Sequence, residues 1–140
     1  MPEVYWEHYS HPADMGIRGF GPSREEAFAQ AALALTAIIT DLQTVEPKQH
    51  IEVSCEDQDD ESLFVSWLNA IIYEMATRHM LFSKFEVNIE SNQLRASAWG
   101  EKIDVQKHRP AVEVKAATYT DLKVKQNEDG TWMVQGVVDV

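Results

Sequence analysis

The chain has 140 residues, 44% apolar and 25% charged, a globular profile that excludes fibrous and disordered classes and fits one domain spanning 1–140. A chain of this length buries about 70% of the surface its unfolded form exposes, enough for a hydrophobic core. Its 23 Asp and Glu against 12 Lys and Arg leave a net charge of −11. That charge repels phosphate backbones, and the Lys and Arg are scattered, so no direct nucleic-acid binding is expected.

The first residues, EVYWEHY, are aromatic and β-branched enough for a strand that ends before Ser10 and Pro12. GIRGFG follows as a second short extended piece before Pro22. Ser23 and Glu26 then form a capping box, and Ala27, Phe28, Ala31, Leu35, Ile38 and Ile39 recur at helical spacing along SREEAFAQAALALTAIITD.

After a turn around Pro47, HIEVSCE alternates Ile51, Val53 and Cys55 on one side of a half-buried strand. The acidic run Glu56, Asp57, Asp59, Asp60 and Glu61 sits just before a second helix, where carboxylates cap and offset the macrodipole; that favours a structural role over a metal site. The second helix carries the stripe Phe64, Trp67, Leu68, Ile71, Ile72 and Met75.

From Leu81 the period becomes two. Phe85, Val87 and Ile89, then Leu94, Ala96 and Ala98, make a hairpin around SNQ. AVEVKAATYTDLKVKQ and TWMVQGVVDV form another around NEDG. The predicted architecture is α+β: a mostly antiparallel sheet with two α-helices packed on one face.

No apolar run reaches the roughly 18 residues of a membrane span, and MPEVYWEHY has neither the basic region nor the apolar core of a signal peptide. The single cysteine, Cys55, suits a reducing compartment. A cytoplasmic location without membrane contact is expected.

Signatures of P-loops, dinucleotide-binding turns, zinc proteases, CxxC sites and serine hydrolases are absent. His8, His11 and Asp14 stand three apart, a spacing a zinc site can use. Pro12 breaks any helix there, however, and strand residues three apart face opposite sides. Asp14 has a local alternative, bonding backbone amides two residues on.

Asp139 lies in GVVDV, apolar enough to be held in the sheet beside the α-carboxylate. Carboxyl oxygens gathered at a sheet end attract Mg²⁺ or Ca²⁺ rather than zinc or copper. His79 and His108 read as surface or capped histidines. Lys115 shares a strand face with Glu113 and reads as a solvated lysine, unless it serves a site.

HPADMGIRGFGPSREEAFAQAALAL, with its H-x-A-D start, resembles the opening of the archease family. LFVSWLNAIIYE, LFSKFEV, GEKIDVQKH, EVKAATY and the terminal VVDV follow in the family's order over nearly the whole chain. The family fold, a sheet with two helices, agrees with the periodicity.

The resemblance implies an accessory protein rather than a stand-alone enzyme. Its partner is the RtcB-type RNA ligase of tRNA splicing and RNA repair, which binds GTP. The family promotes guanylylation of the ligase's active-site histidine and permits multiple turnover. By motif position a divalent cation, Ca²⁺ or Mg²⁺/Mn²⁺, is held at the sheet tip by Asp14 and Asp139. The Val140 carbonyl or carboxylate adds a third contribution, and Lys115 is placed to act with them.

Thr120 stands where many relatives carry His, which weakens any role for an imidazole there. Two other readings stay open, a general chaperone-like binding module and a metal-dependent hydrolase built on His8, His11 and Asp14. If the tip is the site, the end of the chain is expected to be part of it.

Overall fold

The computed structural model describes residues 3–140. Strands β1 (Tyr5–His11) and β2 (Asp14–Gly21) form a hairpin closed by Pro12 and Ala13. Where the sequence predicts a break before Ser10, pairing continues until His11 meets Asp14. The two-residue turn holds because Ala13 takes φ 65°, a left-handed conformation that costs a non-glycine residue about 1 kcal/mol.

Helix α1 (Arg24–Ile39) starts as its capping box predicts, with Ser23 Oγ accepting from the Glu26 N–H at 3.1 Å. Its stripe of Ala27, Phe28, Ala31, Leu35 and Ile39 is buried. The helix approaches β2 closely because Gly19 has no side chain; a Cβ there would lie 2.2 Å from the Ala27 carbonyl oxygen.

A single 3-10 turn, Leu42–Thr44, leads to β3 (Gln49–Glu56). In α2 (Asp60–Arg78) the acidic run shapes the helix start. Asp59 accepts from the Ser62 N–H, Asp57 accepts from the Ser66 hydroxyl, and Asp60 pairs with Arg24, at 2.8, 2.8 and 2.5 Å. The buried Trp67 donates its indole N–H to the Phe28 carbonyl at 3.0 Å, tying the helices together.

Cys55 is half-buried on β3. Burial, then the nearby Asp57 carboxylate, pushes its thiol up to about 11.

Strands β4 (Met80–Glu90) and β5 (Gln93–Lys102) form the expected hairpin, turning at Ser91 and Asn92. A four-residue helix absent from the sequence reading, α3 (Val105–His108), follows under an Asp104 cap. Beyond it come β6 (Ala116–Ala117), β7 (Lys123–Gln126) and β8 (Trp132–Asp139).

Alternation predicts one strand from Ala111 to Gln126, yet only the two short pieces pair with β8. The backbone in between is engaged elsewhere. The Ala111 N–H donates to the Ile39 carbonyl at 2.8 Å, the Ala117 N–H donates to Asn69 Oδ1 at 2.9 Å, and Asp121 turns the chain at φ 52°.

All strand pairs are antiparallel, as expected, but they divide into two sheets rather than one. The larger has the order β1-β2-β8-β6 with β7 also on β8, and the smaller β3-β5-β4. Helix α1 packs against both β2 and β4, and α2 against β3 and β6. Apolar side chains from both helices and both sheets meet in the core, with Trp67, Phe28, Phe64 and Phe82 its largest fully buried members. No described helix is long and apolar enough to cross a membrane.

Candidate metal centre at the strand ends

Strand register brings the two aspartates together. Asp14 opens β2 and Asp139 closes β8. The pairing of Met15 with Val138, continued by one residue, sets Asp14 opposite Asp139. Asp14 also faces His11 across the hairpin, and Asp139 faces Ala116. Directly opposed residues of an antiparallel pair hold their Cβ atoms about 4.5–5.5 Å apart on one face. His11, Asp14, Asp139 and Ala116 therefore make a row across four strands.

Both aspartates are half-buried, as is Val140, which packs against the core. The exposed Lys115 joins the same strand end through its backbone, donating its N–H to the Asp139 carbonyl at 2.8 Å. Thr120 is exposed in the connection between β6 and β7, its N–H donating to the Thr118 hydroxyl at 3.2 Å.

The next row explains how this strand end is braced. Tyr9 lies opposite Gly16, and its ring fills the space of the missing side chain; a Cβ on Gly16 would lie 2.2 Å from it. The Arg18 guanidinium sits over that ring at 4.2 Å, pairs with Glu7 at 3.0 Å and donates to Gln135 Oε1 at 2.7 Å. Gln135 in turn donates to the Asp121 carbonyl at 2.8 Å, and His11 Nε2 lies 4.0 Å from the Asp121 carboxylate.

Burial, then the Asp121 charge, raises the Tyr9 phenol, partly offset by Arg18. The sequence reading passed over Tyr9, Arg18, Asp121 and Gln135. Only the period-two spacing of Glu7, Tyr9 and His11 hinted that they share a face with the site.

The histidines have other duties. His8 Nε2 lies 2.8 Å from the Ala34 carbonyl, on the side of β1 that meets α1, so His8 and His11 do not converge. Among the described residues no three His, Cys, Asp or Glu side chains gather as a metal-ligand set, His8, His11 and Asp14 included. His79 is the left-handed cap of α2, at φ 55°.

His108 is buried rather than on the surface. Its Nδ1 accepts from the Asp104 N–H at 2.9 Å, so the proton is on Nε2, which donates to Glu101 at 2.9 Å. Lys107 approaches the same carboxylate at 2.8 Å. Burial alone would raise Glu101, but hydrogen bonds from the Glu46 N–H, Lys107 and His108 outweigh it and hold the carboxyl at about 2.

Two carboxylates and a backbone carbonyl are hard oxygen donors, the chemistry Mg²⁺ and Ca²⁺ take. Mg²⁺ in particular is commonly held by one or two carboxylates, its other positions going to water and substrate phosphates. Asp14, Asp139 and Val140 carry donors of that chemistry.

The archease protein family profile matches residues 6–140. The archease of Pyrococcus furiosus is 45% identical over 139 residues, covering 96% of this chain and 98% of its own. That of Thermococcus kodakarensis is 41% identical with the same coverage. A solution structure of a Methanobacterium thermoautotrophicum protein, 32% identical, superposes with a TM-score of 0.84 over 96% of this chain and 98% of that one. The crystal structure of a Thermotoga maritima protein, described as an archease and possible chaperone, shares the fold at a TM-score of 0.63 and 20% identity, over 96% of each chain. None of these descriptions indicates a catalytic family, and on both the profile match and the identities the chain belongs to the archease family.

Proposed function

We propose that the protein is a non-catalytic activator of a GTP-dependent RtcB-type RNA ligase, acting through the strand end that carries Asp14 and Asp139. The observation that supports this most is the register placing those aspartates face to face beside Lys115. A bound divalent cation, held by the Asp14 and Asp139 carboxylates and the Val140 carbonyl, would supply positive charge to a triphosphate.

In this reading the ligase's histidine attacks the α-phosphorus of GTP, forming a P–N bond and releasing pyrophosphate. The exposed Lys115 ammonium would face the same phosphates and offset the charge on the departing pyrophosphate. The brace of Tyr9, Arg18 and Gln135 keeps β1, β2 and β8 in register, so the aspartates are set before the partner arrives. The chain's charge of −11 suits a ligase with a basic RNA channel and hastens encounter at low salt. RNA and GTP are then contacts of the partner.

Single-turnover guanylylation of the cognate ligase with GTP and Mg²⁺ or Mn²⁺ tests the reading. Asp14→Ala, Asp139→Ala and Lys115→Ala are expected to cut the rate at least tenfold while staying folded. Folded variants that activate like wild type sink it. A second reading, a general chaperone, draws on the description of the Thermotoga maritima relative. It predicts that aggregation of unrelated unfolding clients is suppressed equally well by wild type and Asp139→Ala.

A further inference from the structure

Two buried side-chain polar atoms among the described residues have no hydrogen-bond partner in the protein, the Tyr9 hydroxyl and His11 Nδ1. A buried polar atom left in that condition costs free energy and calls for a physical reason. Both belong to β1, and both lie on the sheet face that carries Asp14 and Asp139.

His11 stands in the same cross-strand row as the aspartates, directly opposite Asp14. Its Nε2 faces the Asp121 carboxylate at 4.0 Å, which favours the ring proton on that side and leaves Nδ1 an acceptor. Tyr9 stands one row behind, and its ring reaches across to β2. Its Cζ would lie 2.2 Å from a Cβ on Gly16, so the hydroxyl end of the ring is over Gly16 rather than over β1. Asp14 is two residues from Gly16 on the same face, about 7 Å along the strand. Val137, paired with Gly16, is likewise two residues from Asp139. The two orphaned atoms therefore flank the aspartate pair, one from behind and one from the side.

No third His, Cys, Asp or Glu side chain joins the aspartates as a direct ligand among the described residues, so a cation there keeps much of its water. A cation makes its water a stronger donor, and an imidazole nitrogen with a free lone pair and a phenol oxygen are groups that hold such water.

We propose that Tyr9 and His11 are positioning residues of the strand-end cation site, the hydroxyl and Nδ1 bonding water carried by the ion that Asp14 and Asp139 hold. The inference rests on the cation of the activator reading and adds to it the groups that fix the ion's water.

Isothermal titration calorimetry of the whole chain with Mg²⁺, Mn²⁺ and Ca²⁺ tests it, and thermal melts in chelator measure the fold separately. Tyr9→Phe keeps the ring over Gly16 and removes only the hydroxyl. Its melting temperature in chelator is expected to match wild type, while its affinity for the ion that wild type binds most tightly falls about tenfold or more. His11→Leu is expected to lose as much, and His11→Asn, whose amide oxygen reaches the place of Nδ1, to recover most of it. In nitrogen NMR the His11 Nδ1 resonance is expected to shift when Mg²⁺ is added to wild type and to stay in place in Asp14→Ala.

Wild type that binds none of the ions, or binding that survives Asp14→Ala, overturns the cation of the activator reading and this inference with it. Binding that Asp14→Ala abolishes but Tyr9→Phe and both His11 variants leave intact overturns this inference alone. A drop in the chelator melting temperature of Tyr9→Phe that accounts for its lost affinity does the same, because the hydroxyl would then serve the fold.

Discussion

Asp14 and Asp139 oppose each other one step beyond the Met15–Val138 pair, so the register that builds the site also sets two carboxylates across from each other on antiparallel strands. Like charges directly opposite destabilise a strand pair by about 0.2–1 kcal/mol. Asp14→Asn is therefore expected to raise the melting temperature slightly in chelator; on the proposed cation site, wild type is expected to gain a rise with Mg²⁺, Mn²⁺ or Ca²⁺ that the variant lacks. At 100 times the dissociation constant that rise corresponds to about 2.7 kcal/mol. Melts with and without each ion check both halves, and an undiminished cation effect in the variant removes Asp14 from the site.

The Glu101 carboxylate, held at about 2, makes acid stability depend on one buried cluster. Its folded value is depressed below the ordinary 4.5, so the stabilisation is complete above that pH and is lost as pH falls towards 2. Glu101→Ala leaves the His108 Nε2–H buried without its acceptor and is expected to cost about 1–3 kcal/mol at pH 7. Urea melts at pH 7 and at pH 3 measure it, and the gap between variant and wild type should narrow at the lower pH.

Gly16 is defined by Tyr9. A Cβ at Gly16 would overlap the Tyr9 ring, so Gly16→Ala is expected to cost about 1–3 kcal/mol through forced repacking. Most of that cost should vanish in a Tyr9→Ala background. A double-mutant cycle reads the coupling, and additive losses would mean that the ring does not set the requirement for glycine.

Trp67→Phe keeps most of the buried ring but leaves the Phe28 carbonyl without its indole donor. The expected loss is about 1–3 kcal/mol. Loss of the near-ultraviolet signal with no change in the denaturation midpoint would show that the bond contributes nothing.

The helices were legible because each carries a long apolar stripe at one spacing, opened by Ser23 in α1 and by the acidic run in α2. The strands were legible as elements but not as sheets. Alternation in Val53, Phe85 and Ala96 reports one buried face and is silent about which strand lies alongside, so the division into two sheets stayed hidden.

The stretch from Ala111 to Gln126 misled for a related reason. Val112, Val114 and Ala116 alternate, but bonds from Ala111 to Ile39 and from Ala117 to Asn69 pull that backbone towards the helices. Asp14 and Asp139 emerged from motif position, and their opposition follows from the β2–β8 register. The Tyr9–Arg18–Gln135 brace joins segments distant in sequence, and the Glu101–His108 pair, only seven residues apart, depends on the unforeseen helix α3, so neither strand nor helix spacing disclosed them.

Cys55 has a practical consequence. A thiol pushed up to about 11 holds almost no thiolate at neutral pH, so it reacts slowly with maleimides. A cysteine introduced at the exposed Glu90 should then take a dye selectively. Glu90 ends β4, about 33 Å along the strand from Met80 beside the His79 cap. A fluorophore there would report the tumbling of the whole protein from the far end of β4.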